Sequence, residues 1–373
     1  MIKKIFPVVF LVLSIIACSS DDNTITTPPN EGGNDVVFSR ASMLRNFADN
    51  IIIPSYQELS DNLDALEIAK DGFIAAPSQP TLDNFRAAWL TAYKSWQRVE
   101  IFDIGKAEEI QLNFQMNIYP VNTADVEANV SAGFYDLSSP NNHDAIGFPA
   151  LDYLLYGVGA TDIEIIEKYD TDPQAENYKD YLSAVTNRMK FITQLVLSDW
   201  IVNYQNVFAA STENNASSAA NKIVNDFIFY YEKGLRANKI GIPAGNFSST
   251  PLPDRVEAFY NQEISKELAL DALNAVQNMF NGISTVDNAE GQGFKTYLQS
   301  LDREDLADLI NEKFNAAREK MQLLDANFTT QINTDNTKMT EAYDALQAAV
   351  VLLKVDMLQA FNIAVDYVDA DGD

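Results

Sequence analysis

From about residue 36 onward the apolar positions of the chain recur three and four residues apart, and no stretch shows convincing strand alternation. That spacing keeps apolar side chains on one face of a 3.6-residue helix, so it predicts helices throughout. The clearest case is Phe85, Trp89, Ala92, Trp96 and Val99, a single stripe on a helix predicted to run from a cap at Thr81 to about Ile104. Gly105 follows, where a left-handed ending would sit. The same reading predicts helices over about 39–75, 174–210, 217–239, 253–281, 303–326 and 335–363. Breaks fall at Ala76-Pro77, Pro120, Ser138-Ser139-Pro140, Asn214-Asn215 and Gly241-Ile242-Pro243-Ala244-Gly245. Long amphipathic helices with short polar joints give an all-α class built as two helical bundles. They are placed at 36–212 and 213–373, with the boundary near 211–216. No internal repeat stands out.

The first residues depart from this pattern. Lys3 and Lys4 precede an apolar run, Ile5 to Ile16, broken only by Pro7 and Ser14. The run falls short of the roughly 20 apolar residues of a membrane-spanning helix and reads as a signal peptide over 1–17. It ends in Ile15-Ile16-Ala17-Cys18, which resembles a lipobox, and Cys18 is the only cysteine of the chain. A lone exported thiol has no disulfide to make, so lipidation at Cys18 is the expectation. Ser19 to Asp35 carries scarcely any apolar mass and reads as a tether spanning roughly 20–25 Å. Ser19 lacks the inner-membrane retention aspartate, which points to the outer membrane. The Ser-Ser-Asp-Asp run resembles a surface-export signal and reads equally well as a solvated linker. The protein is therefore expected to be lipid-anchored and to face the periplasm or the cell surface.

Charge narrows the partners. The net charge of −27 becomes −29 once Lys3 and Lys4 are removed with the leader. So acidic a chain opposes binding to nucleic acid or anionic lipid. With Cys18 expected to be lipidated no free thiol is left for a Cys–His dyad, and a single histidine, His143, cannot supply two imidazoles. A Ser–His–Asp triad would have to use His143, and there is no nucleophile elbow. The glycine pairs at Gly157–Gly159 and Gly291–Gly293 follow no strand, so neither reads as a phosphate loop. Asp369 to Asp373 imitates the opening of a calcium loop without its closing glutamate.

One segment looks like a site. Asp144 to Gly159 reads DAIGFPALDYLLYGVG. Pro149 suits the first helical position, which puts Asp152 in the first turn near the positive end of the helix dipole, on the same face as Pro149. The same residues also describe a well-capped buried helix with Leu151, Leu154 and Leu155 as core. The segment resembles the signature of the imelysin-like family, exported bacterial proteins linked to iron uptake that include an insulin-cleaving membrane protease. That signature is Gly-x-His-x-x-Glu followed by an apolar helix. Gly147 matches its glycine, Pro149 stands at the histidine and Asp152 at the glutamate. WLTAYKSWQRVE at 89–100, Ile118-Tyr119-Pro120-Val121, KIGIPAG at 239–245, VEAFY at 256–260 and the C-terminal run from Val351 resemble further family stretches in the same order.

The resemblance implies an all-α two-domain fold with the site near the domain interface, where Arg98 and Glu100 would face Asp152. The alternative for that pair is a surface ion pair beside a core helix. The departures matter equally. Proline cannot ligate a metal through its side chain, and a zinc peptidase offers three protein ligands with imidazole among them. Iron or zinc binding stays open, with Asp152 and Glu100 as candidate ligands. His143 is expected in a solvent-exposed loop and not at the metal. The resemblance thus implies a non-catalytic binding component in iron or haem acquisition, working with other uptake components. A metallopeptidase of the imelysin type and a peptide- or glycan-binding surface protein are the alternatives.

Overall fold

The computed structural model describes residues 37–365, and their regular secondary structure is helical, with one isolated bridge between Ile283 and Glu290. The leader, Cys18, the tether and the Asp369–Asp373 tail lie outside the described residues.

Helix α1 spans 40–75 and opens at Ser39, whose hydroxyl accepts the amide of Ser42 at 3.0 Å. Its turns widen to i→i+5 bonding over Phe47–Ile52, immediately before Pro54. A proline there cannot donate back along the helix, and the wider turns absorb the missing bond without breaking the rod. Helix α2, Gln79–Trp96, starts earlier than expected. Ser78 is its cap, and Thr81 sits one turn in, its Oγ1 accepting the Ser78 amide at 3.1 Å to close a capping box. It also stops short of Ile104, because the chain turns at Gln97 to carry Val99, Ile101 and Phe102 inward. The predicted stripe of Phe85, Trp89, Ala92, Trp96 and Val99 is buried.

Four longer helices follow in the first half of the chain, α3 (Thr123–Ala132), α4 (147–157), α5 (Asp162–Asp170) and α6 (175–210), and after a loop at 211–218, α7 (219–244) begins the second. Helix α7 runs through the expected break at Gly241 and ends only at Gly245, whose φ of 87° supplies the left-handed stop. Helices α8 (Ser265–Asn281), α9 (Phe294–Ser300), α10 (Glu304–Gln322) and α11 (328–361) follow. Helix α11 starts at an Asn327 cap, ahead of the expected 335, and the kink at Asp335 (φ −155°, ψ 82°) marks where periodicity placed its start.

Helices α1, α2 and α6 pack side by side, as do α7, α8, α10 and α11, and one continuous apolar core runs through both groups. The beginning of α1 reaches across to the second group: Phe47 meets Phe294 edge-on, and Phe38 stacks on Tyr297 at 4.7 Å. Phe361, near the end of α11, stacks on the same Tyr297 ring at 4.1 Å. The largest departure from expectation lies at 253–264. A continuous helix from 253 was predicted, yet regular helix begins only at Ser265. The left-handed Ala258 (φ 57°) sits in a stretch, 256–261, that stays out of helix, with the amides that follow it free to be claimed by another element.

Candidate functional site

The element that claims them is α4. Gly147 opens it with φ 77°, and a β-carbon there would lie 2.2 Å from the carbonyl oxygen of Met116, so only glycine fits. Helix α2 holds the segment from behind: Tyr93 stacks flat on Phe148 at 4.5 Å, and Trp89 Nε1 donates to the Phe148 carbonyl at 3.3 Å. Because the helix starts at Gly147, Asp152 lies beyond the first turn, and the dipole argument does not apply to it. Its stabilisation comes from elsewhere. The amides of Tyr260 and Asn261 each donate to one carboxylate oxygen of Asp152 at 2.8 Å. Burial pushes the Asp152 carboxyl up to about 7, against the pull of these two amides toward the ionised form. Asp152 therefore fastens the unwound 256–261 segment to the first half of the chain. Pro149 is buried beside it, and both line a 280 Å³ cavity with Tyr119, Val256, Phe259 and Tyr260.

The other predicted residues part company. Arg98 does not face Asp152; its guanidinium pairs with Glu58 at 2.5 and 2.7 Å, both side chains being about two-fifths exposed. It is a surface ion pair, as the alternative reading had it for Arg98, but with Glu58 and not Glu100 as the partner. Glu100 turns inward, into a buried polar network absent from the expectation. Lys239 Nζ lies 2.8 and 2.9 Å from the two oxygens of Glu257 and 3.2 Å from Glu100 Oε2. The Asn117 amide donates to both carboxylates, at 2.8 Å to Glu100 and 2.9 Å to Glu257, and Gln97 Nε2 donates to Glu257 at 3.1 Å. Tyr230 donates to Glu100 at 3.0 Å and Tyr93 to the Asn117 carbonyl at 2.6 Å. Burial alone would strip the proton from Lys239, but the two carboxylates outweigh it and hold its pKa above the ordinary value. Burial, with the same carboxylates, keeps Tyr93 and Tyr230 as neutral phenols.

His143 is not an exposed loop residue. It is buried in the turn Pro140–Ala145, and burial together with Arg188 lowers its pKa, favouring the neutral ring.

Lys239, Glu257, Asn117 and Tyr230 escaped the sequence reading because they come from three separate stretches, around 117, 230–239 and 257, with no shared spacing. The only signal was that Lys239 and Glu257 begin or sit within the KIGIPAG and VEAFY stretches. The wide-turned part of α7, Tyr230–Gly241, places both Tyr230 and Lys239 on the network, as a local change of helical pitch re-aims side chains.

Beside the network opens a cleft of about 470 Å³, reached from both halves of the chain. Glu100, Asn117 and Tyr230 form part of its wall, Tyr119 is shared with the smaller cavity, and Phe114 and Phe229 line it as well.

As a metal centre the arrangement fits poorly. Proline occupies the histidine position, Asp152 is spent on two amides, and an ammonium already stands between Glu100 and Glu257. Among the described residues no three His, Cys, Asp or Glu side chains come together as a ligand set.

Comparison with known proteins gives a consistent picture. The imelysin family model, which carries a peptidase label, matches residues 52–355. Iron-regulated protein A of Synechococcus elongatus is 20% identical over 307 residues, covering 79% of each chain. The crystal structure of a putative iron-regulated protein A precursor from Parabacteroides distasonis superposes with a TM-score of 0.70 at 18% identity, over 86% of this chain and 95% of that one. An imelysin-like protein from Psychrobacter arcticum gives 0.69 at 18% identity, over 88% and 97%.

Proposed function

The chain belongs to the imelysin family, and from that premise we propose that it is a non-catalytic binding component of the bacterial envelope, serving iron or haem acquisition. The observation that carries the non-catalytic reading is the state of the carboxylates. Each oxygen of Asp152 accepts a main-chain amide, and Glu100 and Glu257 share the single ammonium of Lys239 rather than being held open for a metal. A hydrolytic zinc needs open coordination positions and a displaceable water, and these side chains offer neither. The adjoining 470 Å³ cleft is of the size that takes small organic ligands. The iron assignment draws on the names of the relatives, which describe iron-regulated proteins. Lipidation at Cys18 and residence at the outer membrane, facing the periplasm or the cell surface, complete the proposal and rest on the N-terminal sequence.

The test has two arms. Transcript and protein should rise on iron starvation, and a deletion strain should grow more slowly than its parent with iron or haem as the limiting nutrient. The purified protein should leave casein and insulin intact. Chelator-sensitive cleavage restored by zinc would replace this reading with the metallopeptidase.

A further inference from the structure

The cleft contains one carboxylate that the network leaves out. Asp103 lines it, and its Oδ1 is closed to solvent with no hydrogen-bond partner. Two phenyl rings line the same cleft from opposite halves of the chain, Phe114 at 54% exposure from the turn Leu112–Met116 and Phe229 at 44% from α7. Oδ1 itself lies out of a ligand's reach, but Asp103 is only partly buried and lines the cleft, so its carboxylate acts on that space by its charge. Large exposed rings lining a concavity are typical of a surface that something covers.

We propose that this cleft binds an amphipathic organic cation, its apolar body held between Phe114 and Phe229 and its amine or guanidine paired with the charge of Asp103. The sign of the charge follows from the groups facing the space. Lys239 is committed to Glu257 and Glu100, and Arg255 lies 3.8 Å from Asp254, half-exposed. Lys233 and Asp226 line the cleft with one charge of each sign. Burial, with the negative potential of Glu108 added to it, holds the Asp103 carboxyl above its ordinary range. A bound cation would relieve both effects, whereas an anion would sharpen them. An apolar stem is required because the aromatic walls give a wholly polar cation nothing to cover.

This proposal rests on the cleft being the binding site, but not on the iron assignment, and its failure is separable from that of the induction experiment. The probes are three molecules with the same phenylbutyl carbon skeleton, 4-phenylbutylamine, 4-phenylbutanol and 4-phenylbutyrate, titrated calorimetrically into the full chain. The amine should bind at least about tenfold more tightly than the alcohol, and the carboxylate more weakly still. Asp103→Asn should erase the preference for amine over alcohol, and Phe114→Ala should weaken amine and alcohol alike. Equal or tighter binding of the carboxylate, or of the alcohol, overturns the proposal in the wild-type protein alone, whether or not the variants fold. An amine preference that survives Asp103→Asn overturns it as well.

Discussion

The carboxylate of Asp152 grips the main chain of Tyr260, accepting its amide at 2.8 Å across 108 residues of sequence. With the neighbouring amide of Asn261 held equally, the motif aspartate works as a clasp on a stretch that would otherwise leave two donors unmet.

Removing the clasp should therefore cost stability. Asp152→Ala strands both amides and is expected to lower unfolding free energy by about 2–5 kcal/mol. Denaturant titration of both proteins measures it, and a loss below about 1 kcal/mol would show that water replaces the carboxylate without penalty.

Stability should also carry a pH signature of this residue. In the unfolded chain an aspartate ionises near 3.9, whereas in the fold Asp152 is pushed up to about 7. The folded form thus binds the proton more tightly. Its contribution is fully present below about pH 4 and is lost as pH rises through about 7. Asp152→Asn has no such titration. The stability of the variant relative to wild type should climb by a few kcal/mol between about pH 4 and 8. A difference that stays flat across that range would mean that Asp152 titrates normally.

Lys239→Met leaves Glu100 and Glu257 buried against each other without their counter-charge. Loss of one member of a buried ion pair costs about 3–5 kcal/mol. Adding Glu257→Gln should recover part of it, because one of the two uncompensated charges is then gone. Thermal melts of the single and double variants decide, and a double variant no better than the single would locate the cost in packing.

Arg98→Ala is the contrasting case. Its partner Glu58 is as exposed as Arg98 itself, so the change should cost less than about 1 kcal/mol and vanish in high salt. A larger, salt-insensitive loss would return Arg98 to the site.

At the other end of the chain, Cys18→Ser should abolish incorporation of a palmitate analogue and leave the leader uncleaved. Labelling that persists in the variant would remove the lipid anchor from the proposal.

The helical class was legible because long helices advertise themselves by spacing. The buried stripe from Phe85 to Val99 and the rods at 40–75 and 175–210 lie where three-and-four periodicity puts them. What spacing could not show was the unwinding of 256–261. Its residues are compatible with helix, and only the left-handed Ala258 and the distant Asp152 make an open chain the better solution. The motif position was legible as well, but not its use. Asp152 and Glu100 stood out in the sequence as candidates, but their partners are main-chain amides in one case and Lys239, Asn117 and Tyr230 in the other. Arg98 and Glu100 stand two residues apart at the end of one aromatic helix. The turn after Trp96 sends one to the surface and the other inward, which a helical reading through to Ile104 could not anticipate.

Phe38 and Phe361 both lean on the ring of Tyr297, so the two ends of the described chain are neighbours in space. The molecule is in effect a closed loop that happens to be opened at this point. A bridge of about five to eight flexible residues would be long enough to sew these ends together. New termini could then be cut in the 211–218 loop, away from the clasp and the cleft. Such a permuted chain would keep every contact described above while reversing the order in which the two helical groups leave the ribosome.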